Sequence, residues 1–301
     1  MKQLLAAVAF SLFTLPALAE PRIAITFDDL PSHDLLPRGT TRVQIAEQII
    51  AALKAANAPP VYGFINGIRL EDDPASAPVL KLWRAAGFPL GNHTWSHMNL
   101  SAKPLSAWQT DTLRNEPILG PLMAGQDWHL LRYPYLAEGD TVLKHDSARA
   151  FLAEHGYRIA PVSLSFDDYL WNGPYARCVA KNDTATIAEM EIAWTAAADS
   201  SLNYYRDLSH QLYGRDIPYV LLMHLGAFDA HMMPSLMALY RQRGVTLITL
   251  EEALADPFYK ADADPRLPGQ PESLEQAMEA RGIGDYPDRK AQVMPFSKLC
   301  R

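Results

Sequence analysis

Arg22-Ile23-Ala24-Ile25-Thr26-Phe27-Asp28-Asp29 is an apolar run of strand length that ends in two adjacent carboxylates. Behind it, Val43 to Ala56 carries apolar residues at helical spacing, and Val61 to Ile65 again reads as a strand. The alternation continues down the chain. Further strands are expected at Phe88 to Gly91, His129 to Arg132, Tyr157 to Leu164, Tyr219 to His224 and Val245 to Thr249. Helices are expected at Ala77 to Ala86, Leu105 to Leu119, Thr141 to His155, Thr184 to Leu212 and Pro234 to Arg243, the last with Pro234 in its first turn. Strand followed by helix, repeated, predicts a parallel α/β fold. Seven such strands within about 230 residues predict a closed or nearly closed barrel rather than an open sheet.

The flanks read differently. Residues 1–19 begin with Lys2, run through an apolar stretch from Leu4 to Leu15 and end in Ala17-Leu18-Ala19. That is the pattern of a secretory signal peptide; its apolar part is too short to span a bilayer. The expected localisation is therefore periplasmic or extracellular, with no stable membrane insertion after cleavage. The barrel is expected over residues 20–258. Asp and Pro dominate from Lys260 to Pro271, so residues 259–301 are expected to form a C-terminal appendage, packed on the barrel or partly disordered.

Composition narrows the partners. The 301 residues carry a formal net charge of −7, with no cluster of Lys and Arg, which argues against nucleic acid as a partner. The two cysteines, Cys178 and Cys300, lack second ligands at zinc-motif spacing; a disulfide and a pair of free thiols both remain open.

The polar clusters fall at strand ends. Asp28-Asp29 follow the first strand, His93-Thr94-Trp95-Ser96-His97 the third and Arg132-Tyr133-Pro134-Tyr135 the fourth. Asp167-Asp168 follow the fifth, and His224 ends the sixth. In a parallel barrel all these ends share one face, where active sites are built. One Asp and two imidazoles suit a catalytic divalent ion with open positions, Zn2+ first and Co2+, Ni2+ or Mn2+ as alternatives. The four-residue His spacing reads as one side of a helical turn. Neighbouring Asp residues in a strand point to opposite sides, so one can ligate while the other takes a proton. His224 is a candidate acid if Asp167 or Asp168 orients it, and Arg132 supplies fixed positive charge. His33, in the loop after the first strand, reads as a solvated loop residue, with contact to substrate as the alternative.

These residues together resemble the polysaccharide deacetylase family, the family-4 carbohydrate esterases, over about Arg22 to Leu254. The resemblance implies a distorted (β/α)7 barrel, TIM-like. It implies Asp28 as base, Asp29, His93 and His97 as metal ligands, Arg132 as the group that steadies the base, and the Tyr135 backbone N–H as an oxyanion donor. Leu222 would meet the acetyl methyl and His224 would be the acid. The family's fourth motif, Asp, two variable residues, then Asp-Trp, is altered to Asp167-Asp168-Tyr169-Leu170-Trp171. Asp167 keeps the usual distance from Trp171 and is expected to partner His224 or Arg132; Trp171 is expected to line a sugar groove. Leu30-Pro31 replaces the family's frequent Gly-Pro. The implied activity is removal of N-acetyl groups from N-acetylhexosamine units of an acetylated glycan. An O-acetyl esterase or non-sugar amidase on the same metal site, and a non-catalytic carbohydrate-binding protein, are the alternatives.

Overall fold

The first strand, β1 (Arg22–Leu30), is buried on both faces beyond Arg22, the state of a central parallel strand covered by helices. The computed structural model describes residues 20–269, 273–284 and 295–301; the leader expected at residues 1–19 lies outside the described residues. The other strands are β2 (Tyr62–Ile65), β3 (Leu90–Asn92), β4 (Leu130–Leu131), β5 (Arg158–Ile159), β6 (Tyr219–His224) and β7 (Thr246–Leu247). Each pairing is parallel, in the order β5-β4-β3-β2-β1-β6, with β7 joined to the start of β1. The sheet curls until the chain beyond β5 meets β6: Leu164 bridges Leu221, and Leu222 N–H donates to the Leu164 carbonyl at 3.0 Å. This is the parallel barrel expected from the sequence.

The helices depart from expectation in instructive places. The span expected as one helix from Leu105 to Leu119 divides into Leu105–Arg114 and Glu116–Leu122. Asn115 stands between them, because its side chain bonds the Gly67 N–H at 3.0 Å and the Ile65 carbonyl at 2.6 Å. The helix expected to begin near Pro234 begins at Ala227 instead and runs to Gln242, with Pro234 inside it. Burial of Phe228, Met232, Met233 and Leu236 offsets an interior proline's cost of about 3 kcal/mol. A helix over Tyr169–Lys181, with Pro174 inside it, was not expected. Gly87 and Gly156 close helices in the left-handed conformation (φ 86° and 74°), which a side chain would resist.

The C-terminal segment is tied to the barrel at several points. Arg149, almost fully buried, donates to the carbonyls of Ala261 (2.6 Å), Asp264 (2.8 Å) and Leu267 (3.1 Å). The helix Leu274–Ala280 packs on Thr184–Tyr213. Cys178 and Cys300 form a disulfide, fixing the chain's last residues to the helix Tyr169–Lys181. No helix among the described residues is long and apolar enough to cross a membrane.

Candidate active site

The two carboxylates at the end of β1 do not simply alternate. The register of β1 against β2 shifts between Phe27 and Leu30, and Asp29 takes the left-handed conformation (φ 62°). This kink turns both carboxylates toward the same imidazole: His93 Nε2 lies 3.6 Å from Asp28 Oδ2 and 3.7 Å from Asp29 Oδ1. Asp28 also meets Arg132, whose Nη1 is 3.2 Å from Asp28 Oδ1. Arg132 is wholly buried, and its remaining donors are matched: Nε to the Ala160 carbonyl at 2.6 Å and Nη2 to Thr26 Oγ1 at 3.1 Å. A buried cation so fully bonded has one place to stand.

His93 and His97 are not on a helix, contrary to the reading of their spacing. They lie in an irregular loop after β3 in which Thr94 and His97 are left-handed (φ 56° each). Asn66 pins this loop by donating to the carbonyls of His93 (2.5 Å) and Thr94 (3.0 Å), while the Ser96 N–H donates to Asp111. The rings end 4.9 Å apart. His93 Nδ1 lies 2.7 Å from the Arg132 carbonyl. A carbonyl can only accept, so Nδ1 carries the proton and Nε2 is left as a donor atom for a metal.

His224 ends β6, directly opposite Asp28 in the β1–β6 register. Its carboxylate partner is Asp168, not the expected Asp167. Asp168 accepts from the His224 backbone N–H (2.6 Å) and from Nδ1 (3.0 Å). The left-handed turn at Asp167 (φ 56°) explains the exchange, because it reverses which of two adjacent side chains faces β6. Burial alone would lower the His224 pKa, but the adjoining Asp168 charge and hydrogen bond outweigh it, and His224 is pushed up to about 10. Burial, with His93 alongside, pushes His97 down to about 4, which leaves it neutral and able to ligate.

The walls of the site also differ from expectation. Trp171 is 2 % exposed, wedged against Phe228 and, edge-on, against Phe296 of the C-terminal segment. It belongs to the core and cannot line a groove. The aromatics at the mouth are Tyr169, 42 % exposed and 5.5 Å from the His224 ring, and Tyr135, 66 % exposed and 4.4 Å from the His97 ring. Leu222 shares the strand face of His224 two residues on. His33 is not a solvated loop residue: its Nδ1 is 2.8 Å from Asp29 Oδ2, and its ring lies 4.6 Å from that of His224. The sequence signals for Asp168 and His33 are present, an adjacent Asp and a His four residues past Asp29, but both depend on loop geometry.

Seven non-glycine residues at the end of β1 and on the loops after β1, β3, β4 and β5 are left-handed: Asp29, Asp34, Thr94, His97, Tyr135, Leu136 and Asp167. Such backbone costs on the order of 1 kcal/mol or more per residue and concentrates at functional sites.

Asp29, His93 and His97 each offer one donor atom, all within 4.8 Å of one another. Asp29 Oδ1 lies 3.5 Å from His97 Nε2 and 3.7 Å from His93 Nε2, and it is buried with no hydrogen-bond partner. Two ligands each about 2.1 Å from a tetrahedral ion stand roughly 3.4 Å apart. An orphaned, buried carboxylate oxygen at that spacing from two imidazoles fits a divalent metal. Burial opposes the charge on Asp29, yet the His33 hydrogen bond and the surrounding imidazoles hold its carboxyl well below the usual range.

Comparison with known proteins agrees with this architecture. Residues 16–160 match the family model described as polysaccharide deacetylase. A chitin deacetylase of Arthroderma benhamiae is 28% identical over 147 residues, 49% of this chain and 35% of that protein, so the match spans about a third of the relative's length. The chitin deacetylase of the fungal pathogen Colletotrichum lindemuthianum has a similar structure, with a TM-score of 0.52 at 19% identity, over 79% of this chain and 90% of that one. So does a family-4 carbohydrate esterase pseudoenzyme of Bacillus anthracis, with a TM-score of 0.53 at 10% identity, over 78% and 66%. Residues 16–160 are thus similar to the polysaccharide deacetylase family, and the barrel has the fold of the family-4 carbohydrate esterases.

Proposed function

We propose that this protein is an exported, metal-dependent deacetylase that removes N-acetyl groups from N-acetylhexosamine units of a polysaccharide or oligosaccharide. The observation that carries the proposal is the buried, unpartnered Asp29 Oδ1 facing His93 and His97, with the Asp28–Arg132 pair beside it. A divalent ion held by Asp29, His93 and His97, most simply Zn2+, would polarise the acetyl carbonyl and acidify a water.

The chain's own groups divide the rest of the work. Asp28 takes the proton from the attacking water, and the buried Arg132 holds it in place. The Tyr135 backbone N–H, in the left-handed turn after β4, donates to the oxyanion that develops on the acetyl carbon's oxygen. His224, kept protonated by Asp168, gives its proton to the leaving amine, and acetate departs. Leu222 packs on the acetyl methyl. Tyr135 and Tyr169 offer exposed rings on either side of the site, suited to the apolar faces of sugar rings. The relative named a chitin deacetylase supports an N-acetylated glycan as the substrate class.

The test is acetate release from a panel of N-acetylated glycans, O-acetylated glycans and non-sugar acetamides by metal-loaded protein. Asp28→Asn should cut turnover by about 10²–10⁴-fold while metal content, read by elemental analysis, stays at the wild-type level. Activity confined to O-acetyl esters or non-sugar amides would move the assignment to those substrates. Glycan binding without any acetate release would make the protein a non-catalytic carbohydrate binder.

A further inference from the structure

We propose that His33 is a positioning residue that decides which oxygen of Asp29 faces the metal; the proposal rests on the metal reading above. The family's frequent Gly-Pro is replaced here by Leu30-Pro31, and His33, two residues further on, turns its side chain into the site. His33 Nδ1 lies 2.8 Å from Asp29 Oδ2, and both side chains are largely buried. A carboxylate that gives its other oxygen to a metal can only accept, so His33 Nδ1 is the donor. The second oxygen, Oδ1, is the one left unpartnered and turned to His93 and His97. The two oxygens of one carboxylate are thus divided between a hydrogen-bond donor and a metal position.

The loop is built to hold this arrangement. The Ser32 N–H donates to the Asp29 carbonyl at 2.8 Å, closing a turn. Arg42, from the helix Arg42–Ala55, clamps the far side: Nη1 to the His33 carbonyl at 2.7 Å and Nη2 to the Asp34 carbonyl at 2.6 Å. The His33 ring is backed by the ring of His224 at 4.6 Å. Held this way, Asp29 can give only Oδ1 to an ion. Without the donor, its carboxylate is free to rotate or to bind through both oxygens. Partners that orient a ligand in this manner are commonly worth about 10–100-fold in metal affinity.

The experiment uses chelator-stripped full chain titrated with Co2+ in competition with a chromophoric chelator, reading affinity, stoichiometry and the visible spectrum of the bound ion. Wild type is compared with His33→Ala, His33→Asn and His93→Ala, after circular dichroism has shown that each is folded. The expected result for His33→Ala is one equivalent bound about 10–100-fold more weakly, with altered visible bands as coordination changes. His33→Asn, which restores a side-chain N–H, should recover much of the affinity. Unchanged affinity and spectrum in His33→Ala would overturn the proposal, as would a His33→Asn variant as weak as His33→Ala. Two equivalents in wild type, one of them lost in His33→Ala, would also overturn it, because His33 would then be a ligand of a second ion with Asp29 and His224. Equal binding by wild type and His93→Ala would instead remove the metal reading itself, and the proposal with it.

Discussion

Replacing Asp168 with Asn should make the protein's stability respond less to alkaline pH, by an amount the structure sets. His224 in the folded protein is pushed up from its ordinary 6.5 to about 10, against its own burial, chiefly by Asp168. Each pKa unit is worth about 1.4 kcal/mol, so the rise corresponds to on the order of 5 kcal/mol of preference for the folded, protonated state. The sign follows from linkage. A group whose pKa is raised on folding contributes fully below its unfolded value and loses that contribution as pH rises through the folded value. In metal-free wild type this term is present at pH 6 and fades between about pH 6.5 and 10. Asp168→Asn removes most of it at the outset, while the amide oxygen can still accept from the His224 backbone N–H. The assay is urea unfolding of both proteins, chelator-stripped, at pH 6, 8 and 10. The stability gap between them should be several kcal/mol at pH 6 and should narrow by several kcal/mol at pH 10. Lysines and tyrosines that titrate in the same range are common to both proteins and cancel in the difference. A gap that stays constant or widens with pH would refute the assignment of Asp168 as the group that keeps His224 charged.

Two further outcomes follow from burial and connectivity. Arg132→Met should cost about 3–5 kcal/mol, because it leaves the buried Asp28 without its ion-pair partner; adding Asp28→Asn should return part of that loss, and denaturant unfolding of the single and double variants reads both values. The disulfide closes a loop with a sequence separation of 122, for which chain entropy gives a ceiling close to 5 kcal/mol, so Cys178→Ala with Cys300→Ala should lower the midpoint of thermal unfolding, and an unchanged midpoint would count against the closed loop as a stabilising element.

The parts of this molecule that were legible in the sequence are those governed by local periodicity. β1, β2 and β6 stand where apolar runs predicted them, and the strand-helix alternation was enough to put Asp28, Asp29, His93, Arg132 and His224 at one end of a barrel. The misreadings involve distant contacts or irregular loop backbone. Trp171 is buried because Phe296 covers it from the far end of the chain. His33 is drawn inward because Arg42 holds its carbonyl. Asp168 takes the place expected for Asp167 because a left-handed residue turns the loop, and the spacing to Trp171 carries no record of that turn. His93 and His97 come together through Asn66 and an irregular loop rather than through the helical spacing that seemed to join them. Pro234 lies inside a helix whose buried apolar residues outweigh a local preference.

The left-handed positions around the mouth restrict how the protein can diversify. Glycine would sit at each of them with less strain, yet glycine has no carboxylate, imidazole or phenol to contribute. Asp29, His97 and Tyr135 therefore cannot relax their backbone without surrendering the group that makes the position useful. Drift toward new substrates is channelled instead to unstrained, exposed neighbours such as Tyr169 and Leu170, where a side chain can be exchanged without disturbing the frame that holds the reactive atoms.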